Sequence, residues 1–169
     1  MTTILYAQPY DISASGFPFQ TADAFAAKAA GLRNDHGDAV EEFEIQFIDG
    51  EAIAAALALA LGLSQATHGA FFSCVETWEY HEKVRYIIAV GECGVSFDLE
   101  RDDIDLLDVD IYEEASLRDI AMRFVEDGLF GDIPEQLQSY IDYDAIARDL
   151  SIDYAETEVA GDRIIYRCG

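Results

Sequence analysis

The chain has 169 residues, enough for one compact domain or for two or three small lobes. Because 51% of the residues are hydrophobic, the chain can bury a core, which excludes global disorder. The 34 acidic residues outnumber the 10 basic ones and give a net charge of −24. This charge excludes direct binding of nucleic acid and favours a basic partner, or a site that normally holds DNA.

Two features bear on cellular location. The longest apolar run, Ala52 to Leu63, is too short to span a bilayer. The segment from Met1 to Tyr10 lacks the basic and apolar regions of a signal peptide. We therefore expect a cytoplasmic protein with no membrane partner.

The first part of the chain predicts a β-α-β-α pattern. The predicted elements are a strand Thr3 to Ala7, a helix begun by Thr21 or Asp23, a strand Phe43 to Phe47 and a helix Glu51 to Leu61. Between the first strand and the first helix, Pro9, Gly16 and Pro18 predict a loop. The next segment, Ala70 to Tyr86, has helical spacing, whereas Ile87 to Val90 fits either a strand or a helix.

The acidic part of the chain also predicts regular elements. They are a strand Leu107 to Ile111, a helix from Ser116 to about Asp127, helices Glu135 to Ile141 and Tyr143 to Ser151, and a hairpin of Tyr154 to Val159 with Arg163 to Cys168. Asp142 is predicted to cap the last helix, because its side chain can accept a hydrogen bond from the first turn.

These patterns predict an α+β fold of small mixed α/β lobes in tandem, with short antiparallel sheets and helices. We place an N-terminal α/β lobe at residues 1–65, a central and mainly helical lobe at 66–97, and an acidic C-terminal α/β lobe at 98–169.

Catalytic residues are not indicated. His36, His68 and His81 lack a neighbouring nucleophile signature. Cys74 precedes His81 by seven residues, about 10 Å along a helix, which is too far for a direct hydrogen bond. We therefore expect a protein that is not an enzyme and that uses no cofactor.

A dedicated metal site is not expected either. The three cysteines have no CxxC spacing, so a zinc site is not indicated. Asp98, Glu100 and Asp102 begin with the spacing of an EF-hand loop. The pattern then fails, because Asp103 stands at the turning glycine and Val109 at the bidentate glutamate.

The acidic residues are themselves the main candidate for function. The net charge of −24 exceeds the roughly 2 to 8 charges that keep a small domain soluble. From Pro134 to Leu150 the acidic residues are interspersed with apolar residues that keep core spacing. The pattern predicts a folded surface that displays negative charge.

Several runs carry a family resemblance. IIAVGECGVSFD, DVDIY, FVEDGLFGDIPEQLQSYIDYDAIARDLSIDY and AGDRIIYRC resemble the ArdA family of antirestriction proteins. The resemblance implies a protein similar to DNA in shape and charge, which occupies the DNA-binding groove of type I restriction–modification enzymes in a bacterial cytoplasm. It also implies an elongated protein of three lobes, encoded by mobile genetic elements, that forms a homodimer through its C-terminal part. Such a dimer would carry a charge of −48, as much as about 80 Å of duplex DNA.

The resemblance also implies which residues contribute. The expected partner-binding acids are Asp103, Asp105, Asp108, Asp110, Glu126, Asp127, Glu135, Asp142, Asp144, Asp149 and Asp153. The expected dimer region contains Tyr140, Ile141, Tyr143, Ile146 and Leu150.

Two alternative functions stay open. A DNA mimic could instead inhibit a CRISPR effector or another DNA-binding defence complex, because net charge does not select the target. A protein of another class, a calcium-dependent or scaffold interaction module, could use the same acids as a docking face.

Overall fold

A computed structural model describes residues 2–114 and 116–169 of the chain. The chain forms two compact units, Met1–Leu107 and Asp108–Gly169, each with its own three-stranded antiparallel sheet and its own helices. The predicted α+β class is therefore confirmed. The division into three lobes remains a prediction. Within the described residues, none of the helices combines the length and the hydropathy that crossing a membrane requires.

The first unit contains one sheet and a group of helices. Its elements are β1 (Ile4–Pro9), β2 (Phe17–Phe19), α1 (Ala22–Gly31), β3 (Phe43–Asp49), α2 (Ala52–Leu61), α3 (His68–Thr77) and α4 (Tyr80–Tyr86), followed by a π-helix (Ile87–Glu92) and a 3₁₀ turn (Ile104–Leu106). The sheet order is β2-β1-β3, with both pairings antiparallel. Leu5 and Ala7 of β1 are fully buried, and Phe43 and Ile45 of β3 alternate with exposed Glu44. This alternation buries one face of the sheet under the helices.

The segment predicted to be a loop contains a short strand, so that prediction is wrong for β2. Phe17, Pro18 and Phe19 pair antiparallel with β1, and Pro18 lies opposite Tyr6. A proline is tolerated there because β2 is an edge strand, where one side of the backbone needs no sheet partner. Phe19 is buried and packs on Phe25 of α1, with ring centroids 5.1 Å apart.

The predicted single helix from Ala70 to Tyr86 is two helices, because the chain becomes extended at Trp78 and Glu79. Glu79 starts α4 with a capping box, in which its own backbone N–H donates to Glu82 Oε2 at 2.6 Å. The ambiguous segment after α4 is helical rather than extended. It continues as a π-helix, in which Ile87 and Ile88 are buried.

The second unit is smaller. Its elements are β4 (Val109–Tyr112), α5 (Leu117–Glu126), α6 (Glu135–Gln138), α7 (Tyr143–Leu150), β5 (Ala155–Val159) and β6 (Asp162–Cys168), with sheet order β4-β6-β5. The predicted hairpin is confirmed, and its loop residues Ala160 and Gly161 both have positive φ, at 55° and 95°. Positive φ at both positions is typical of a type I′ turn. The helix α6 is only four residues long, so the predicted extension to Ile141 is wrong.

The core of the second unit is built around Ile120 and Phe124 of α5 and Ile165 of β6. Ser116 begins α5, as predicted, because its side chain accepts a hydrogen bond from Asp119 N at 3.2 Å. Leu150 of α7 packs against this core while remaining half-buried.

Two loops of the first unit are joined through one carboxylate. Asp11 accepts hydrogen bonds from Asn34 Nδ2 at 2.9 Å and from Ser13 Oγ at 2.7 Å. Hydrogen bonds from Asn34 and then from Ser13 hold the pKa of Asp11 below its ordinary value of 3.8.

A pH-dependent contribution to stability follows. Because the pKa of Asp11 is lower in the folded state, its contribution is complete above about pH 4 and is lost as pH falls through the folded pKa. We expect the difference in unfolding free energy between the wild type and Asp11→Asn to be constant near neutral pH and to shrink below about pH 4. Chemical denaturation across a pH series measures it, with Asp35→Asn as the matched control on the neighbouring loop. A difference that stays constant at low pH would contradict the role of Asp11.

Candidate partner-binding surface

The carboxylates lie on the outside of both units. All 34 acidic residues are described, 30 of them are exposed and none is buried. The other four are half-buried, namely Asp11, Glu82, Asp110 and Glu114. A charge in contact with water avoids the cost of desolvation. The fold therefore buries its apolar residues without removing any carboxylate from the surface.

Both units are strongly negative. The first unit has 18 acidic and five basic residues, a net charge of −13, and the second has 16 and five, a net charge of −11. The prediction restricted the partner-binding acids to Asp103 and later residues. It therefore leaves out most of the acids of the first unit, including Glu42, Glu44 and Asp49, which are exposed. Their signal in the sequence is the alternation of acidic and apolar residues around β3.

Arginines neutralise some of the predicted acids in the second unit. Ion pairs join Arg118 to Asp144 at 3.2 Å, Arg167 to Asp110 at 2.6 Å, and Arg123 to Asp127 at 3.6 Å and to Glu114. Exposed pairs of this kind add about 0 to 1 kcal/mol each. Their larger effect here is to lower the negative potential beside Asp110, Asp127 and Asp144.

The other predicted acids are exposed and make no ion pair with an arginine in the part of the chain that the structure describes. Asp103 and Asp105 share a turn, in which Asp103 Oδ1 accepts a hydrogen bond from Asp105 N at 3.0 Å. In the ranges 2–114 and 116–169, the remaining members make no ion pair and are exposed: Asp105, Asp108, Glu126, Glu135, Asp149 and Asp153. We call these six residues the open carboxylates.

Asp142 has a structural role as the N-cap of α7. Its Oδ1 accepts a hydrogen bond from Ala145 N at 2.9 Å, so the predicted N-cap of α7 is confirmed. Its carboxylate is also exposed and adds to the surface charge.

Two substitutions separate the cap from the charge. We expect Asp142→Ala to destabilise the second unit by about 1 kcal/mol, because the first turn of α7 loses its acceptor. Asp142→Asn should cost only a few tenths of a kcal/mol, because asparagine also caps helices well. Thermal unfolding of the two variants beside the wild type measures this. Equal losses for both variants would show that the charge, rather than the cap, stabilises α7.

The five residues of the predicted dimer region differ in exposure. Tyr140 is 83% exposed, whereas Ile141, Tyr143, Ile146 and Leu150 are half-buried. The Arg118 guanidinium lies 5.7 Å from the centroid of the Tyr143 ring. Tyr140 is therefore the most accessible member of the region.

Exposed apolar side chains beside this region were not predicted as functional. Leu129, Phe130 and Leu137 are between 54% and 62% exposed, and α6 contains no buried residue. The glycines at 128 and 131 interrupt the helical period after α5. The sequence pattern therefore does not indicate whether Leu129, Phe130 and Leu137 are exposed or belong to the core.

The candidate catalytic residues are not brought together into a reactive site. His68 packs on the Phe25 ring at 4.5 Å and contacts the Gln65 carbonyl oxygen through Nδ1 at 2.8 Å. Burial raises the pKa of the Cys74 thiol to about 11, which keeps it protonated at neutral pH. His36 and His81 are exposed.

The acids with EF-hand spacing form a turn. Asp98 Oδ1 accepts a hydrogen bond from Glu100 N at 3.0 Å, and Asp102 Oδ2 accepts one from Asp98 N at 2.8 Å. Among the side chains that the structure describes, no group of three or more His, Cys, Asp or Glu residues has a geometry that could hold a metal ion.

The fold and this surface define a class of protein: an acidic α+β protein in which none of the acidic residues is buried. The chain belongs to the ArdA family of antirestriction proteins, because the family model described as "Antirestriction protein (ArdA)" matches residues 35–162. This family consists of inhibitors of restriction rather than enzymes. No curated protein matches the chain.

Proposed function

We propose that the chain inhibits type I restriction–modification enzymes as a DNA mimic, by occupying the groove that binds DNA. The observation that carries the proposal is the display of all 34 carboxylates on two folded units, with none buried. Membership of the antirestriction family supports a target in restriction and modification.

Electrostatic attraction brings the two proteins together. A groove that binds DNA is lined by Lys and Arg, which attract the phosphates of DNA at long range. A protein with a net charge of −24 is attracted by the same positive potential, which raises its association rate. Electrostatic steering of this kind raises association rates by about 10- to 1,000-fold. Salt screens this attraction, so the affinity falls as ionic strength rises.

The folded frame improves the mimicry over that of a flexible acidic tail. Helix caps and sheet pairings hold the carboxylates in fixed positions, as Asp142 at the start of α7 illustrates. The inhibitor therefore loses less conformational entropy on binding. Inhibition is competitive and stoichiometric, and the inhibitor leaves the complex chemically unchanged.

Within the second unit, the open carboxylates are the members of the predicted set that contribute most strongly. Asp110, Asp127 and Asp144 contribute less, because an arginine of the same chain neutralises each of them. The target enzyme acts on DNA in the bacterial cytoplasm, so the inhibitor works there.

The chain functions as a homodimer that includes the region Tyr140 to Leu150. Tyr140 supports this proposal, because 83% of a large aromatic side chain is exposed in the single chain. We expect Tyr140→Asp to lower the molar mass found by sedimentation equilibrium from that of a dimer to that of a monomer. The control is Tyr10→Asp, whose side chain is 66% exposed in the first unit. An unchanged dimer in Tyr140→Asp would contradict the position of the interface.

An inhibition assay tests the proposed target. The purified chain is titrated into ATP-dependent cleavage of unmethylated DNA by a type I restriction–modification enzyme, and methyl transfer is followed in a parallel reaction. A CRISPR effector is assayed side by side. We expect cleavage by the type I enzyme to stop at near-stoichiometric inhibitor. Unaffected cleavage at large excess would contradict the proposed target, and selective inhibition of the CRISPR effector would establish the alternative.

A further inference from the structure

Strand β3 has an open edge. It lies at one side of the β2-β1-β3 sheet and is seven residues long. Its pairing with β1 continues to Tyr10, whose N–H donates to the Glu42 carbonyl oxygen at 3.1 Å. Because hydrogen-bonded pairs alternate along an antiparallel ladder, Glu44 and Gln46 bond to β1. The backbone N–H and C=O groups of Ile45, between these two residues, and of Phe47, which follows Gln46, therefore point away from β1.

One end of this edge is already covered by a side chain. The Gln65 amide accepts a hydrogen bond from Phe43 N at 2.9 Å and donates one to the Glu41 carbonyl oxygen at 2.9 Å. This pair of bonds is the pair that a neighbouring strand would make. Further along, in the part of the chain that the structure describes, Ile45 and Phe47 have no such neighbour on the outer side of β3.

An apolar groove runs beside the open part of the edge. Ile45 and Phe47 line one side of it, and Ala55, Ala58 and Leu59 of α2 line the other. The groove has a volume of about 430 Å³, and Leu59 is 85% exposed. An edge strand beside a helix with an apolar groove between them is the arrangement that accepts an added strand, with side chains in the groove.

The charges around the groove select the occupant. From Asn34 to Glu82 the sequence contains no Lys or Arg. Exposed Glu42, Glu44 and Asp49 lie on or next to β3. A second copy of this chain would bring the same acids to the same edge, which is unfavourable for like charges. A basic strand would pair them with opposite charges.

We propose that β3 binds an extended segment of a protein partner as a fourth strand, paired at Ile45 and Phe47. The segment alternates apolar residues, which enter the groove beside α2, with Lys or Arg residues, which face the acids. This goes beyond the proposed DNA mimicry, because the DNA that the chain would imitate has neither a β-strand edge nor an apolar groove with which a protein segment could pair.

A peptide titration tests the proposal without a restriction enzyme, so its outcome is independent of the proposed function. The probe is an acetylated and amidated peptide of alternating valine and lysine, and two-dimensional NMR of the full chain reports binding. We expect the Ile45 and Phe47 amides to shift and to exchange with solvent about tenfold more slowly. The same peptide with N-methylated backbone amides should give no such protection.

Matched variants localise the site. Leu59→Lys should weaken binding of the alternating peptide about tenfold or more, because it removes an apolar wall and adds a like charge. Leu106→Lys, at a leucine 80% exposed in the same unit, should leave the affinity close to that of the wild type. The proposal would be overturned if the N-methylated peptide bound equally well, or if the alternating peptide bound without protecting the Ile45 and Phe47 amides. It would also be overturned if both variants had equal effects, or if the chain associated with itself through β3.

Discussion

Neutralising four open carboxylates of the second unit should slow association with the restriction enzyme by about tenfold at low salt. The variant combines Glu126→Gln, Glu135→Gln, Asp149→Asn and Asp153→Asn, which changes the net charge from −24 to −20. Each of these residues is exposed, so the substitutions leave the core unchanged. A single change such as Asp149→Asn should do little, because the field comes from many charges. Stopped-flow association kinetics measure the rate.

A control with the same charge tests the location of the surface. It carries Asp23→Asn, Asp35→Asn, Asp38→Asn and Glu76→Gln, four exposed acids of the first unit. We expect a smaller loss of association rate for this control. An unchanged rate for the second-unit variant would contradict a steering role of the open carboxylates. Equal losses in both variants would show that total charge matters and that the predicted location does not.

Replacing Phe124 with alanine should lower the free energy of unfolding of the second unit by about 3 to 5 kcal/mol. Phe124 is 8% exposed and belongs to the central cluster with Ile120 and Ile165. Its ring lies 5.9 Å from that of Tyr112 and 6.2 Å from that of Tyr154, so truncation leaves a cavity among large side chains. A loss of this size is a large part of the stability of a small unit.

Hydrogen exchange measures this effect in the second unit itself. The buried amides of Ile164 and Ile165 in β6 report its opening free energy. Leu150→Ala should cost less, about 2 kcal/mol, because Leu150 is only half-buried. The matched control is Phe130→Ala, at a ring 55% exposed in the same unit, and it should change little. Unchanged exchange in Phe124→Ala would show that the apolar face of α5 is misassigned.

Structural features that depend on only a few neighbouring residues, such as helix caps and tight turns, were predictable from the sequence. The caps at Ser116 and Asp142 and the turn at Ala160 and Gly161 depend on neighbours along the chain, and all are confirmed. The strand β2 was not predictable, because Pro18 is tolerated only through its position on a sheet edge. The apolar period continues across the break between α3 and α4, so periodicity alone predicts a single helix there.

The negative charge and the exposure of the acidic surface were predictable, but the ion-pair partners of its individual acids were not. Exposure follows from the cost of burying charge, which applies to every Asp and Glu. The partners of individual acids depend on tertiary contacts, such as Arg118 of α5 with Asp144 of α7. The open carboxylates could therefore be separated from the neutralised ones only with the structure. Which acids contact a restriction enzyme remains a prediction.

The most direct test of the DNA mimicry is competition with DNA across a salt series. A labelled duplex is bound to the methyltransferase core of a type I enzyme, and the purified chain displaces it at increasing ionic strength. We predict that the chain and the duplex exclude each other, and that the affinity of the chain falls steadily as salt rises. Inhibition that leaves DNA bound, or an affinity that does not weaken with salt, would contradict the account.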